Sequence, residues 1–260
     1  MALLDGKTGL VFGVANERSY AWHIARALTL HGAECAYGCL PGEKNEARTR
    51  LAVESINVQD PWIRPCDVGS DADLDAIFAA YRESFSRMDF LVHSVAYADR
   101  EWLSIGKFAV TPRAAFLQAL DISVYSLLAM AGRARPLMKE SGGGSIVTMS
   151  YYGADKVIPG YNVMGVAKAA LECTVRYLAH EVGGDNIRVN AISGGPLKTL
   201  ASSAIAGFKT ILTHTEHRAP LQRNVEGADV GNSAVFLMSE LSSAVTGETI
   251  FVDCGVSTVG

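Results

Sequence analysis

Short apolar runs alternate with helix-like patterns along almost the whole chain, and no other feature restricts its fold so tightly. Runs at 9–12, 34–37, 62–66, 90–95, 145–149, 187–192 and 249–252 have the length and make-up of buried strands. Between them, apolar residues recur at helical spacing. Ala21, Ile24, Ala25 and Leu28 form one stripe, with Gly32 placed as its stop. Leu74, Ile77, Phe78, Tyr81 and Phe85 form another, and helical patterns also cover roughly 112–139, 161–182 and 228–239. Sequential parallel strands need crossover connections, which are right-handed and usually helical. The pattern therefore predicts an α/β fold: a doubly wound, parallel, seven-stranded, Rossmann-like sheet with helices on both faces. Ligands of such sheets bind outside the carboxyl ends of the strands. Chemistry is to be sought just after each strand.

Composition narrows the function. The chain has 260 residues, 49% hydrophobic and 19% charged, with a net charge of −4. That is globular and gives no basic footprint for nucleic acid. No repeat or Pro/Ser-rich linker divides it, so residues 1–260 are read as one domain. No run approaches about 18 consecutive apolar residues, and MALLDGKTGLVF lacks a basic leader, so neither a membrane span nor a signal peptide is expected. The five cysteines (Cys35, Cys39, Cys66, Cys173 and Cys254) are odd in number and form no C-x-x-C. A reducing cytoplasm is expected, with no disulfide framework and no metal site.

After the first strand, the G-x-G-x-x-G pattern is reduced to Gly13, and a structural turn explains the loop nearly as well as phosphate binding does. Gly13 and Ala15 are small enough for close backbone approach. Ser19 stands where an N-cap would expose helix N–H groups to an anion. No acid ends the second strand, which leaves NADH and NADPH both open. Asp67, after the third strand, reads either as an adenine contact or as a helix-start acid. Small residues also follow His93.

Two Tyr/Lys pairs compete downstream. Tyr152 and Lys156 have a Y-x-x-x-K spacing, but Gly153 and Pro159-Gly160 interrupt any helix there. Tyr161 and Lys168 are seven apart in an unbroken helical pattern. Seven residues turn a helix about 700°, about 20° short of two turns, so the two would share a face about 10.5 Å apart along the axis. In ketone reduction, hydride goes to the carbonyl carbon. In enoyl thioester reduction it goes to the β-carbon, and charge develops on an oxygen farther away. The longer gap suits the second reaction.

These residues resemble the bacterial enoyl-acyl-carrier-protein reductases of the short-chain dehydrogenase superfamily. The resemblance is carried by GVANERSYAWHIA (13–25), HSVAYA (93–98), DISVYSLLAMA (121–131), SYYGADKVIPGYNVMGVAKAALE (150–172) and IRVNAISGGPLKTLASS (187–203). It implies NAD(P)H-dependent reduction of trans-2-enoyl thioesters in fatty acid synthesis, with NADH as cofactor. It implies that Tyr161 stabilises the enolate, that Lys168 holds the nicotinamide ribose, and that Tyr151 is a second active-site tyrosine. Cofactor contacts carry over to Gly13, Ala15, Ser19, Tyr20, Asp67, Val68, Val95, Ala96, Leu197 and Thr199. Substrate contacts carry over to Ala98, Tyr151, Tyr161, Met164, Ile205 and Phe208, with 197–212 as a lid. A homotetramer and an acyl-carrier-protein partner are implied as well.

The sequence departs from the family at Leu40, where a polar residue favouring NADH is common, at Ala96, and at Asp99-Arg100-Glu101-Trp102 beside the substrate entrance. Competing readings are a 3-oxoacyl thioester reductase using Tyr152 and Lys156, and a non-catalytic NAD(P)-binding sensor. An acidic carrier docking on an acidic enzyme needs a local basic patch, for which Arg100, Lys198, Lys209 and Arg218 are the candidates.

Overall fold

The computed structural model describes residues 2–199 and 208–259. Seven strands form one parallel sheet: β1 Thr8–Phe12, β2 Glu34–Cys39, β3 Ile63–Pro65, β4 Phe90–His93, β5 Gly144–Ser150, β6 Ile187–Gly194 and β7 Thr249–Val252. Their order is β3-β2-β1-β4-β5-β6-β7. The chain winds outward from β1 in one direction and from β4 in the other, so the crevice at the strand carboxyl ends opens between them. The register sets Phe12 beside both Gly38 and His93. Gly38 is required there, because a Cβ on it would stand 2.3 Å from the Phe12 ring.

The helices cover both faces. On one face, α1 (Tyr20–Leu30) and α8 (Gly227–Met238) bury Ile24, Leu28, Val230 and Leu237. On the other lie α3 (Asp71–Ser84), α5 (Ser126–Glu140) and α6 (Val163–Val182), with Leu74, Met130 and Leu171 in the core. Helix α2 (Glu43–Glu54) carries no clear apolar stripe; it buries only Thr49, Ala52 and Val53. Helix α7 spans Phe208–Arg218.

The long helical pattern at 112–139 resolves into three pieces. Helix α4 (Arg113–Leu120) passes through a π-helical turn, Asp121–Tyr125, into α5. Ser126 Oγ donates to Ile122 O at 2.6 Å inside this wider turn. Taken together, Arg113–Glu140 is 28 residues long with mean hydropathy 1.5 in its most apolar window, long and apolar enough to cross a membrane by length and composition. The expectation of no such segment considered only unbroken apolar runs, which Gln118, Asp121, Ser123 and Ser126 interrupt. Leu127, Met130, Ala134 and Leu137 pack it onto the sheet. Thiols at all five cysteines are free.

Candidate active site

Strand β5 delivers the first wall of the site. It ends at Ser150, and Tyr151 leads into a 3₁₀ turn, Tyr152–Ala154. Tyr161 follows on a turn closed by its N–H donating to Ile158 O. The helical argument for Tyr161 needs correcting here. Helix α6 begins only at Val163, and Asn162 before it has a left-handed φ of 44°. The Asn162 amide holds that conformation by donating to the carbonyls of Trp102 (2.6 Å) and Ser104 (2.8 Å). Tyr161 is thus positioned by a pinned turn, not by a helical face shared with Lys168.

The Tyr161 ring is buried and meets Tyr151 edge-on, with centroids 5.0 Å apart and planes at 75°. A Cβ on Gly153 would stand 2.4 Å from Tyr161 Cδ1, so Gly153 is the seat of that ring. Lys168, also buried, donates from Nζ to Met149 O at 2.7 Å. The other pair dissolves: Lys156 is exposed and bridges Asp155 at 3.3 Å, while the Tyr152 ring packs edge-on to Phe251.

Burial sets the protonation states. It pushes the Lys168 ammonium down to about 8, partly offset by the nearby Glu172 carboxylate. It raises the Tyr161 phenol far above its ordinary range, helped by Tyr151, and moves Tyr151 up to about 12. Both phenols keep their protons at neutral pH and are available as donors.

His93, at the end of β4, lies fully buried between Thr148 Oγ1 and Ser126 Oγ, 2.8 Å from each. Ser126 spends its proton on Ile122 O, so it accepts from His93 Nε2–H, and Thr148 donates to Nδ1. Burial first, then the Lys168 charge, push this imidazole down to about 3, so it is neutral. Ser123, in the π-turn, clamps the following loop by accepting from Tyr97 N–H and donating to Tyr97 O. Neither group was singled out from sequence. A histidine ending a buried strand was the available signal; the π-turn left none.

Four expected substrate residues, Ala98, Tyr151, Tyr161 and Met164, meet in one apolar cluster with Leu103, Phe116 and Ala119. Beside it, Asp99 and Trp102 face Leu117, Gln118 and Asp121 across an open groove of about 830 Å³. Ile205 and the rest of 200–207 lie outside the described residues; Phe208 begins α7.

The expected cofactor residues line the carboxyl ends of the strands. Gly13 has φ 103°, and a Cβ there would stand 2.1 Å from Ser94 O. Ala15 is exposed, and Ser19 is the N-cap of α1, accepting from Trp22 N–H. The Tyr20 hydroxyl donates to Gly195 O, tying α1 to the end of β6. Asp67 accepts from Gly69 N–H, and the α3 N-cap is Ser70 instead. Val68 and Val95 are half-buried, Ala96 is exposed, and Leu197 and Thr199 are half-buried in the loop after β6. The α1 N-terminus, where Ser19 is the cap, and the buried Lys168 ammonium suit a dinucleotide's phosphates and ribose, while Gly13 lets the first loop pack against Ser94. Among the described residues, no group of three or more His, Cys, Asp or Glu is placed to hold a metal ion.

Comparison with known proteins decides the family. Residues 13–257 match the model described as enoyl-(acyl carrier protein) reductase. The chain belongs to the enoyl-acyl-carrier-protein reductase family. Among members of this reductase family, the enoyl-[acyl-carrier-protein] reductase [NADH] of Synechocystis is 48% identical over 257 residues, covering 99% of this chain and 98% of that protein. A crystal structure of the reductase from Anaplasma phagocytophilum in complex with NAD matches with TM-score 0.94 and 47% identity, covering 100% of this chain and 97% of that one. The Bacillus cereus reductase with NADP+ and indole naphthyridinone matches with TM-score 0.96 and 44% identity, each chain covered completely.

Proposed function

We propose that this reductase uses NADH to reduce trans-2-enoyl thioesters carried by acyl-carrier protein to saturated acyl thioesters. The observation carrying this reading is the burial of Tyr161 in the apolar cluster and of Lys168 against the Met149 carbonyl of β5, while the alternative lysine, Lys156, faces solvent. The bound dinucleotide supplies the hydride. Gly13, Ser19 at the α1 N-terminus, Asp67, Val68, Val95, Ala96, Leu197 and Thr199 hold it. Lys168 donates to its ribose hydroxyls. Tyr161 donates a hydrogen bond to the thioester carbonyl oxygen and stabilises the enolate charge that forms there. Tyr151 packs on the Tyr161 ring and lines the same space.

A matrix of initial rates tests this: NADH or NADPH against enoyl and 3-oxoacyl thioesters. NADPH belongs in it because no carboxylate ends β2, where Leu40 is exposed. Turnover of enoyl thioesters is expected; turnover of 3-oxoacyl thioesters alone would favour the carbonyl reductase, and tight cofactor binding without turnover the sensor.

The working form is a cytoplasmic homotetramer, supported by apolar side chains left exposed on two long helices, Leu117, Tyr125 and Leu128 on Arg113–Glu140 and Tyr177 on α6. Carrier docking falls to Arg100, Lys198, Lys209 and Arg218. Arg100, Lys198 and Arg218 are exposed and make no ion pair among the described residues. Reversing their charge is expected to raise KM for carrier-bound substrate several-fold while sparing the coenzyme A thioester. Equal loss on both substrates would remove the docking role.

A further inference from the structure

Beneath Lys168 lies a polar track that the proposed chemistry has not used. Lys168, Glu172 and Arg176 follow one another at four-residue spacing on α6, which places them on one helix face. Arg176, at the far end, reaches solvent. Glu172 is half-buried, and Ser150 Oγ donates to its Oε1 at 2.5 Å. Ser150 pairs in register with Ser193 of β6, so both side chains rise from the same sheet face. The Ser193 hydroxyl is buried and has no hydrogen-bond partner among the described residues. The sheet thus ends in a small polar pocket that receives a carboxylate in a largely apolar surround.

We propose that Glu172, seated by Ser150, is a positioning residue: it is the counter-ion that keeps the Lys168 ammonium charged and aimed at the cofactor. The inference rests on the reading of Lys168 as the ribose-binding residue. It follows from what else faces the two groups. Around Lys168, β4 contributes His93, which is neutral, and β5 contributes the Met149 carbonyl. The site's two tyrosines, Tyr161 and Tyr151, keep their protons and so bring no charge. Around Glu172, the segment after β5 contributes Asp155, and α6 contributes Arg176. Glu172 makes no direct ion pair with Lys168; it acts on it through space from one turn farther along α6. An ammonium has three N–H donors. One goes to Met149 O, and two remain for a ligand's hydroxyls. Loss of the proton removes one donor and the charge that strengthens the others.

The sign is fixed by the chemistry. Removing the Glu172 charge makes the ammonium easier to deprotonate, so cofactor affinity fails at a lower pH. The test is the NADH dissociation constant, read by fluorescence from pH 6 to 9 for wild type, Glu172→Gln, Glu172→Asp and Ser150→Ala. At pH 6 all four are expected to agree within about 2-fold. In Glu172→Gln the midpoint of alkaline loss is expected about 1 pH unit lower, which makes its affinity about 8-fold weaker than wild type at pH 8.5. Glu172→Asp restores most of the wild-type profile, and Ser150→Ala falls between. A variant that only loosened the fold would lose affinity equally at every pH, and that outcome overturns the inference. So does an unshifted profile in Glu172→Gln. Wild-type protein that binds neither NADH nor NADPH at any pH overturns the reading of Lys168 itself.

Discussion

Tyr161→Phe is expected to lower kcat for enoyl-thioester reduction by about 10²–10³-fold, with the NADH dissociation constant unchanged within about 2-fold. Donors aimed at a developing oxyanion contribute ~3–4 kcal/mol to the transition state, and the effect is strongest where water is excluded. Tyr161 meets both conditions: it is buried, and its phenol keeps its proton far beyond neutral pH. The phenylalanine ring keeps the contact with Tyr151 and the seat on Gly153, so folding is not at risk. Stopped-flow single turnovers isolate the chemical step. A wild-type single-turnover rate in the variant would move the donor role elsewhere, with Tyr151 first in line.

The second large effect separates binding from stability. Lys168→Met is expected to weaken NADH binding by about 10²-fold or more, since two charge-assisted hydrogen bonds at about 1.5–3 kcal/mol each are lost. Thermal stability at neutral pH is expected to hold. The ammonium sits in a buried site that pushes it down to about 8, and methionine fills a similar volume without a charge to desolvate. The pH dependence checks the same point. Between about pH 8 and the ordinary lysine value near 10.4, the unfolded chain binds more protons at this position than the folded one. This group's share of stability therefore rises with pH across that window, and the rise should vanish in Lys168→Met. Calorimetry across pH reads it. An unchanged NADH affinity would remove Lys168 from the cofactor site.

The sheet was legible because its inner strands, buried on both faces, read as short apolar runs; all seven predicted strands overlap the observed ones, with ends differing by at most two residues. Helix α2 was not legible for the opposite reason: a helix that buries little leaves no stripe. At the site, the helical argument for preferring Tyr161 to Tyr152 holds only in part. Gly153 and Pro159 do break the helix, as read. The same break also carries Tyr161, which reaches its place through Asn162 in a left-handed conformation and not through helical periodicity. Spacing arguments assume regular backbone, and catalytic turns are where that assumption fails. The roles of His93, Ser123 and Glu172 were illegible because each depends on partners distant in sequence: Thr148, Tyr97 and Ser150.

The π-turn at Asp121–Tyr125 has a consequence for how such a pocket can diversify. It divides one continuous rod into two halves that answer to different neighbours. Helix α5 is locked to the sheet by Leu127, Met130 and Ala134, while α4 turns Phe116 and Ala119 toward the apolar cluster around Tyr161. Each residue added to or removed from the turn would rotate α4 against α5 by about 100° and present a new set of side chains to the cluster. Insertion or deletion at this point can therefore exchange the pocket wall wholesale while the sheet contacts stay as they are, a change that no series of single substitutions along α4 would reproduce.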